Sequence, residues 1–258
     1  MIIDSHCHLD NEKLYSKIKD ILNNAFKSNV KYMLTICTND QSFIKILDIL
    51  NTHDNVYGTY GIHPHETSKY KDLKIDKIKQ QLLKHDRVIG IGESGLDFYY
   101  NHSDRNIQKS LFLKHIRSSQ ETSKPLIVHS RNAEKETLEI LTSEKKNKNF
   151  DILMHCFTGS KEFAHNLLDI DSYFSASGVI TFKKSLDLAN TFKSIPNHKI
   201  LVETDSPYLS PEPIRGKVNE PCNIIHTVQF ISTLKKIPKD KVENFTTQNF
   251  KNLFKIII

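Results

Sequence analysis

The 258-residue sequence lacks any apolar run approaching the ~20 residues that span a bilayer, and its longest candidates, such as the closing Ile256-Ile257-Ile258, are far shorter. Its start, Met1-Ile2-Ile3-Asp4, has no charged-then-apolar leader pattern. The chain is therefore expected to be cytoplasmic, without a membrane partner. The four cysteines, Cys7, Cys37, Cys156 and Cys222, form no CxxC pair, which argues against a disulfide framework and a thiolate zinc site. They are expected to be reduced core residues. No Pro/Gly/Ser-rich linker and no long-period repeat divides the chain, so residues 1–258 are expected to form one domain.

What is present suits a globular enzyme. Hydrophobic residues make up 38% and charged residues 26%, enough apolar material for a core and too little charge bias for disorder. A net charge of +6 favours anionic partners. The lysine-rich stretch at 143–149 reads as a solvated loop.

Short β-branched or apolar runs recur at Met1 to His6, Tyr32 to Cys37, Val56 to Gly61 and Val88 to Gly92. Four more follow at Pro125 to His129, Asp151 to His155, Tyr173 to Ala176 and Lys199 to Val202. Helical periodicity separates them, as in Ile18, Ile21, Leu22, Ala25, Phe26 and in Leu111, Phe112, His115, Ile116. Strand alternating with helix predicts a parallel sheet. Eight strands in a chain of this length fit one α/β barrel, which takes about 250 residues, better than a doubly wound open sheet. The expected class is a single (β/α)8 TIM-type barrel.

Polar residues of unusual type fall at the expected strand ends: His6 and His8 at the first, Glu93 at the fourth, His129 at the fifth, His155 at the sixth and Asp205 at the eighth. In a parallel barrel the C-terminal strand ends surround one mouth, so residues distant in sequence can converge there. His6 and His8, two apart on a strand, face the same side and can share an ion, although an isolated HxH is equally compatible with satisfied buried histidines. Four histidines and two carboxylates exceed a structural zinc site and match two ions with open positions for water. His6, His8 and Asp205 would hold one ion, His129 and His155 the other, with Glu93 as the bridge. These ligand types leave zinc, manganese and magnesium open.

The same residues lie in longer phrases: Ile3-Asp4-Ser5-His6-Cys7-His8-Leu9, GIHPH at 61–65, GESGLDFY at 92–99 and PLIVHSRNA at 125–133. HCFTGS at 155–160, SGVITFK at 177–183 and ETDSPYLSPEPIRGKVNEP at 203–221 continue the series. Together they resemble the TatD family of metal-dependent deoxyribonucleases, from the first residues through a closing helix near Thr246 to Phe254. The resemblance implies the same barrel, the same six ligands and hydrolysis of DNA, often exonucleolytic, on single-stranded or end-containing substrates; no obligate protein partner is implied. Two positions depart from the family pattern, Asn132 in place of an acidic residue and Ser94 in place of an aliphatic one.

Under that reading a water loses its proton to Asp205 and attacks phosphorus, with Asp205 and Glu93 as the catalytic carboxylates. His63, behind a proline-fixed turn, is a candidate phosphate contact, with turn capping as its alternative role and the stronger expectation for His65. Arg131 and Arg215 could bind phosphate through their forked donors or sit in structural ion pairs, Glu220 being a candidate partner for Arg215. Tyr99 and Tyr100 could stack on a base, with packing in the core or at the rim as the stronger expectation. Two rival functions use the same barrel: a small-molecule amidohydrolase or lactonase, against which stands the lack of a strand-end bridging lysine, and a non-enzymatic nucleic-acid binder, for which burying so many ionisable groups would be costly.

Overall fold

The computed structural model describes residues 1–258. Its strands are β1 (Ile2–Cys7), β2 (Val30–Thr35), β3 (Val56–Tyr60), β4 (Val88–Asp97), β5 (Leu126–Arg131), β6 (Ile152–Met154), β7 (Tyr173–Ala176) and β8 (Ile200–Val202). The helices are α1 (Glu12–Tyr15), α2 (Ile18–Lys27), α3 (Asp40–Thr52), α4 (Ile75–Leu82), α5 (Arg105–Thr122), α6 (Glu134–Asn147), α7 (Lys161–Asp169), α8 (Leu186–Ser194), α9 (Ile224–Lys235) and α10 (Lys239–Phe254). The strands form one eight-stranded sheet in the order β1-β2-β3-β4-β5-β6-β7-β8, the alternation of a (β/α)8 barrel. All eight expected strands are present. β2 begins and ends two residues early, and β4 continues to Asp97 rather than stopping at Gly92. No helix is long and apolar enough to cross a membrane.

The chain divides into two compact units, each discontinuous in sequence. The first comprises Met1–Thr35, Cys156–Ala164 and Tyr173–Ile258. Here β1 pairs in parallel with β2, and β7 with β8. The first and last strands also meet: the Ser5 hydroxyl donates to the Val202 carbonyl at 2.9 Å, and the Thr204 N–H donates to Asp4 at 2.9 Å. α10 lies over β1 and β8, burying Val242, Phe250, Leu253 and Phe254, each contributing about 1.5–3 kcal/mol when fully withdrawn from water. Asn249 ties this helix to the sheet, donating to the carbonyls of Asn197 and Ile200 at 2.7 and 2.8 Å.

The second unit comprises Ile36–His155 and His165–Ser172. β4 is flanked in parallel by β3 and β5, and β5 by β6. Its helices start on strong caps: the Asn39 side chain accepts from the Ser42 N–H in a capping box, and Asp104 accepts from the N–H groups of Asn106 and Ile107. α5 presents the expected stripe Leu111, Phe112, His115 and Ile116 to the interior. One turn earlier, the amide of buried Gln108 clasps the end of β4, accepting from the Asp97 N–H at 2.8 Å and donating to the Asp97 carbonyl at 3.1 Å. That clasp holds the strand extended through a polar stretch that propensity alone would release into a loop.

Candidate metal centre

In the first unit, His6 is completely buried on β1 and His8 stands one residue beyond its end. The segment after β8 runs beside them: the Asp205 N–H donates to the His6 carbonyl at 2.9 Å, and the His8 N–H to the Ser206 carbonyl at 2.8 Å. Asp205 adopts a left-handed φ of 55°, a conformation that aspartate tolerates better than most residues. Its Oδ1 lies 3.6 Å from His6 Nε2 and 3.3 Å from His8 Nε2. Donor atoms that each bind one ion at about 2.0–2.2 Å stand roughly 3–3.6 Å apart, so Asp205 lies at a distance from either imidazole that suits sharing a divalent ion with it.

Behind it, fully buried Asp4 accepts from the Thr204 hydroxyl at 2.5 Å, the Thr204 N–H at 2.9 Å and the His6 N–H at 3.3 Å. Burial pushes its carboxyl up to about 8 against the pull of these donors. Glu203, also buried, accepts from the Ser175 hydroxyl. Neither acid was among the expected site residues. Both lie inside phrases that point to the site, but their roles rest on contacts across strands that spacing does not reveal.

In the second unit, β4 changes register against β5 between Ile91 and Ser94. A side chain at Gly92 would place its Cβ 2.5 Å from the Ile127 carbonyl oxygen, and one at Gly95 only 2.0 Å from that of His129. Glycine alone allows this approach, which delivers Glu93 to the histidines of the next strands. Glu93 therefore sits within β4, not at its end as expected, because the Gln108 clasp and the glycine-mediated approach carry the strand onward. Its Oε1 lies 2.6 Å from His155 Nε2, 2.9 Å from His129 Nδ1 and 3.5 Å from His63 Nε2.

Burial alone would raise the Glu93 carboxyl, but the electrostatic pull of the His155 and His63 rings and the hydrogen bonds from His129 and His155 overcome it and hold the group well below the usual carboxylate range. His129 is pulled down by burial and more strongly raised by Asp97 and Glu93. His63 is driven down to about 3 by burial despite Glu93, so it stays neutral. Its Nδ1 accepts the His65 N–H at 3.1 Å, which places its single ring proton on Nε2, facing Glu93. His63 is thus a hydrogen-bond donor into the cluster, not a lone-pair ligand. His129 is bracketed by carboxylates instead. Its Nε2 lies 3.1 Å from Asp97 Oδ2 and its Nδ1 2.9 Å from Glu93 Oε1, which favours the protonated ring, so a cation at Nδ1 would take the place of that proton.

A carboxylate behind the outer nitrogen of an imidazole is the arrangement that orients metal-binding histidines. Asp97 serves His65 in the same way, at 2.9 Å from its Nε2, while its other oxygen accepts the N–H groups of Tyr99 and Tyr100 at 3.0 and 3.1 Å. Asp97 was not an expected site residue. The signal was present, since positions 93, 95 and 97 share one face of a strand, but it is readable only once the strand is known to pass Gly92.

Of the remaining expectations, Arg131 is exposed and stacks 4.1 Å over Tyr99 and 4.9 Å over Tyr100, held by rings instead of a carboxylate. Arg215 lies 3.6 Å over Phe182, while Glu220 accepts from Asn24 at 3.1 Å. The expected Arg215–Glu220 pair is therefore replaced by two separate contacts, because each side chain meets a nearer partner from its own surroundings. Asn132 takes a left-handed φ of 52°, which asparagine adopts readily, and Ser94 is buried in β4. Cys7 and Cys37 are buried, Cys156 and Cys222 half-buried, and none of the four is in a disulfide.

Comparison with known proteins agrees with this chemistry. Residues 3–255 match the family described as TatD related DNase. The chain is 40% identical to the metal-dependent hydrolase BU355 of Buchnera aphidicola from Acyrthosiphon pisum, whose function is uncharacterized, over 99% of each protein. It is 36% identical to YcfH of Escherichia coli K12, another uncharacterized metal-dependent hydrolase, covering 99% of this chain and 96% of that one. The crystal structure of YJJV, a TatD homolog from Escherichia coli K12, superposes with a TM-score of 0.92 at 22% identity, covering 99% and 98% of the two chains, and shares the fold.

Proposed function

Because the chain belongs to the TatD-related DNase family and is a metal-dependent hydrolase, we propose that it cleaves the phosphodiester bonds of DNA, single-stranded or at ends. The observation that carries this reading is the convergence of His155, His129 and His63 on Glu93 Oε1 at 2.6, 2.9 and 3.5 Å, a donor set suited to a cation with a further imidazole beside it for a phosphate oxygen. A donor beside the cation would serve the oxyanion of an amide or lactone as well, so the choice of DNA over those substrates rests on the family match.

In this account His6, His8 and Asp205 would hold one divalent ion and Glu93, His129 and His155 another; imidazole favours zinc or another transition metal, while magnesium prefers oxygen, and zinc, manganese and magnesium all stay open. Bound ions would supply Lewis acidity and lower the pKa of a coordinated water toward neutrality. The protein's own groups do the rest. Asp205 accepts the proton of the attacking water as its oxygen bonds to phosphorus. The bond from phosphorus to the leaving sugar oxygen breaks, and that oxygen gains a proton from solvent. Beside the Glu93 cluster His63 Nε2–H would donate to a phosphate oxygen, and the guanidinium groups of Arg131 and Arg215 would each offer forked donors to phosphate.

The test is end-labelled single-stranded DNA incubated with metal-stripped protein to which magnesium, manganese or zinc is restored separately, beside Asp205→Asn protein and a panel of amides and lactones. A product ladder that needs metal and Asp205 is expected, and its direction would test a 3′–5′ exonucleolytic mode. Turnover of an amide or lactone without DNA cleavage would replace this reading with the small-molecule one.

A further inference from the structure

A chain of aromatic rings runs outward from the Glu93 cluster within the second unit. From His129 the ring centroids step 6.4 Å to His65, 5.3 Å on to Tyr100 and 4.7 Å to Tyr99, with His102 stacked on Tyr100 at 5.4 Å and an interplanar angle of 27°. The outer rings are open to solvent, Tyr99 by 55% and Tyr100 by 40%. Core packing, one of the roles expected for them, would have withdrawn these rings from solvent. Scattered exposed aromatics need no explanation, but here three features coincide.

The rings are contiguous with a candidate metal ligand. They are fixed relative to it, because the Asp97 carboxylate that orients His129 also accepts the backbone N–H groups of Tyr99 and Tyr100. And the exposed Arg131 guanidinium stacks on both tyrosines, held there by the rings and by no carboxylate. Arg105, exposed and 4.5 Å over the neighbouring Phe98 ring, adds a second cation to the same rim.

Flat ring faces beside fixed cations, a step or two from a phosphate-cleaving centre, match a strand of unpaired nucleotides: every base has a face to stack, and every linkage carries a negative charge. We propose that Tyr99, Tyr100 and Arg131 form a platform that stacks a base and grips a phosphate next to the cleaved bond of single-stranded nucleic acid, a proposal that rests on the nuclease reading above. Stacking serves any base, so the platform confers preference for unpaired strand over duplex without sequence specificity. In a duplex the same faces are already stacked on their neighbours.

The test measures binding, not turnover. A fluorescein-labelled short oligothymidylate and an abasic chain of the same length are titrated against the full protein in chelator, with fluorescence anisotropy as readout. Wild type is expected to prefer the oligothymidylate. The Tyr99→Ala/Tyr100→Ala variant should lose about tenfold for oligothymidylate and almost nothing for the abasic chain, whereas Tyr99→Phe/Tyr100→Phe, which keeps the rings, should bind as wild type. Arg131→Gln should weaken both ligands and lower the salt slope by about one. Equal affinity of the alanine and wild-type proteins, equal losses in the phenylalanine and alanine variants, or no binding by wild type would overturn the platform. Oligothymidylate binding that needs the rings, without DNA cleavage under any metal, would leave the platform standing and remove the nuclease reading; cleavage by wild type together with unchanged binding by the alanine variant would do the reverse.

Discussion

His6, His8 and Asp205 are set by main chain: two backbone hydrogen bonds tie the segment after β8 to β1, and a left-handed turn at Asp205 aims the carboxylate. Glu93, His129 and His155 are set by side chains. Three imidazoles converge on one carboxylate oxygen, a second carboxylate orients one of them from behind, and glycines at 92 and 95 let the strands approach. A cluster held by main chain keeps its shape when a side chain changes, whereas one held by charge-paired side chains depends on each partner and on protonation. The first should tolerate loss of a ligand as a local defect; the second should respond to changes one residue removed from the ion.

The largest expected effect comes from Glu93→Gln, which removes the anion that all three imidazoles share. Hydrolysis of a small phosphodiester should fall by on the order of 10³-fold, with loss of the ion from that cluster. Asp205→Asn should cost a similar factor in rate, yet His6 and His8 should retain measurable zinc affinity. If Glu93→Gln is as mild as an outer-sphere change, the side-chain-built description fails.

Protonation should separate the clusters next. His115 accepts the Ile62 N–H at 3.1 Å through Nε2 and faces the Leu111 carbonyl at 2.8 Å through Nδ1, thereby holding the backbone that leads into His63. Burial lowers its pKa to about 4 from the model-peptide value of 6.5. A folded pKa below the unfolded one means stability present above pH 6.5 and lost progressively as pH falls toward 4. Comparing wild type with His115→Gln by denaturant unfolding, the difference in stability should shrink by on the order of 3 kcal/mol between pH 7 and pH 4. A constant difference across that range would show that His115 does not titrate as its surroundings require.

Much of this was legible in the sequence, and the limits are instructive. The strands were readable because β-branched runs buried on both faces are continuous, and the ligand types because histidine and carboxylate at strand ends are hard to explain otherwise. His6, His8 and Asp205 come together as spacing suggested, within one unit. Asp97 was hidden by the belief that β4 stops at Gly92, since Gly-rich polar sequence reads as loop; only the Gln108 side chain, eleven residues on, keeps it extended. The protonation of His63 and His129 was beyond reach as well, because it is set by what both ring nitrogens meet in space.

Asp97→Asn sharpens that point with a smaller effect. It should weaken metal binding by about 10–100-fold in a competition titration while leaving the chain folded, through disorder of the His129 ring. Smallest of all should be Arg215→Gln, a few-fold rise in KM for oligonucleotide with unchanged thermal stability, since this guanidinium rests on Phe182 and holds no buried partner. A large loss of stability there would assign Arg215 to the fold.

The most direct measurement is a count of tightly bound ions per chain, by elemental analysis of protein loaded with manganese or zinc and freed of excess. Wild type should carry two, His6→Ala/His8→Ala one, and His129→Ala/His155→Ala one, each variant remaining folded. A single ion in wild type, or none in either variant, would contradict two separately built clusters.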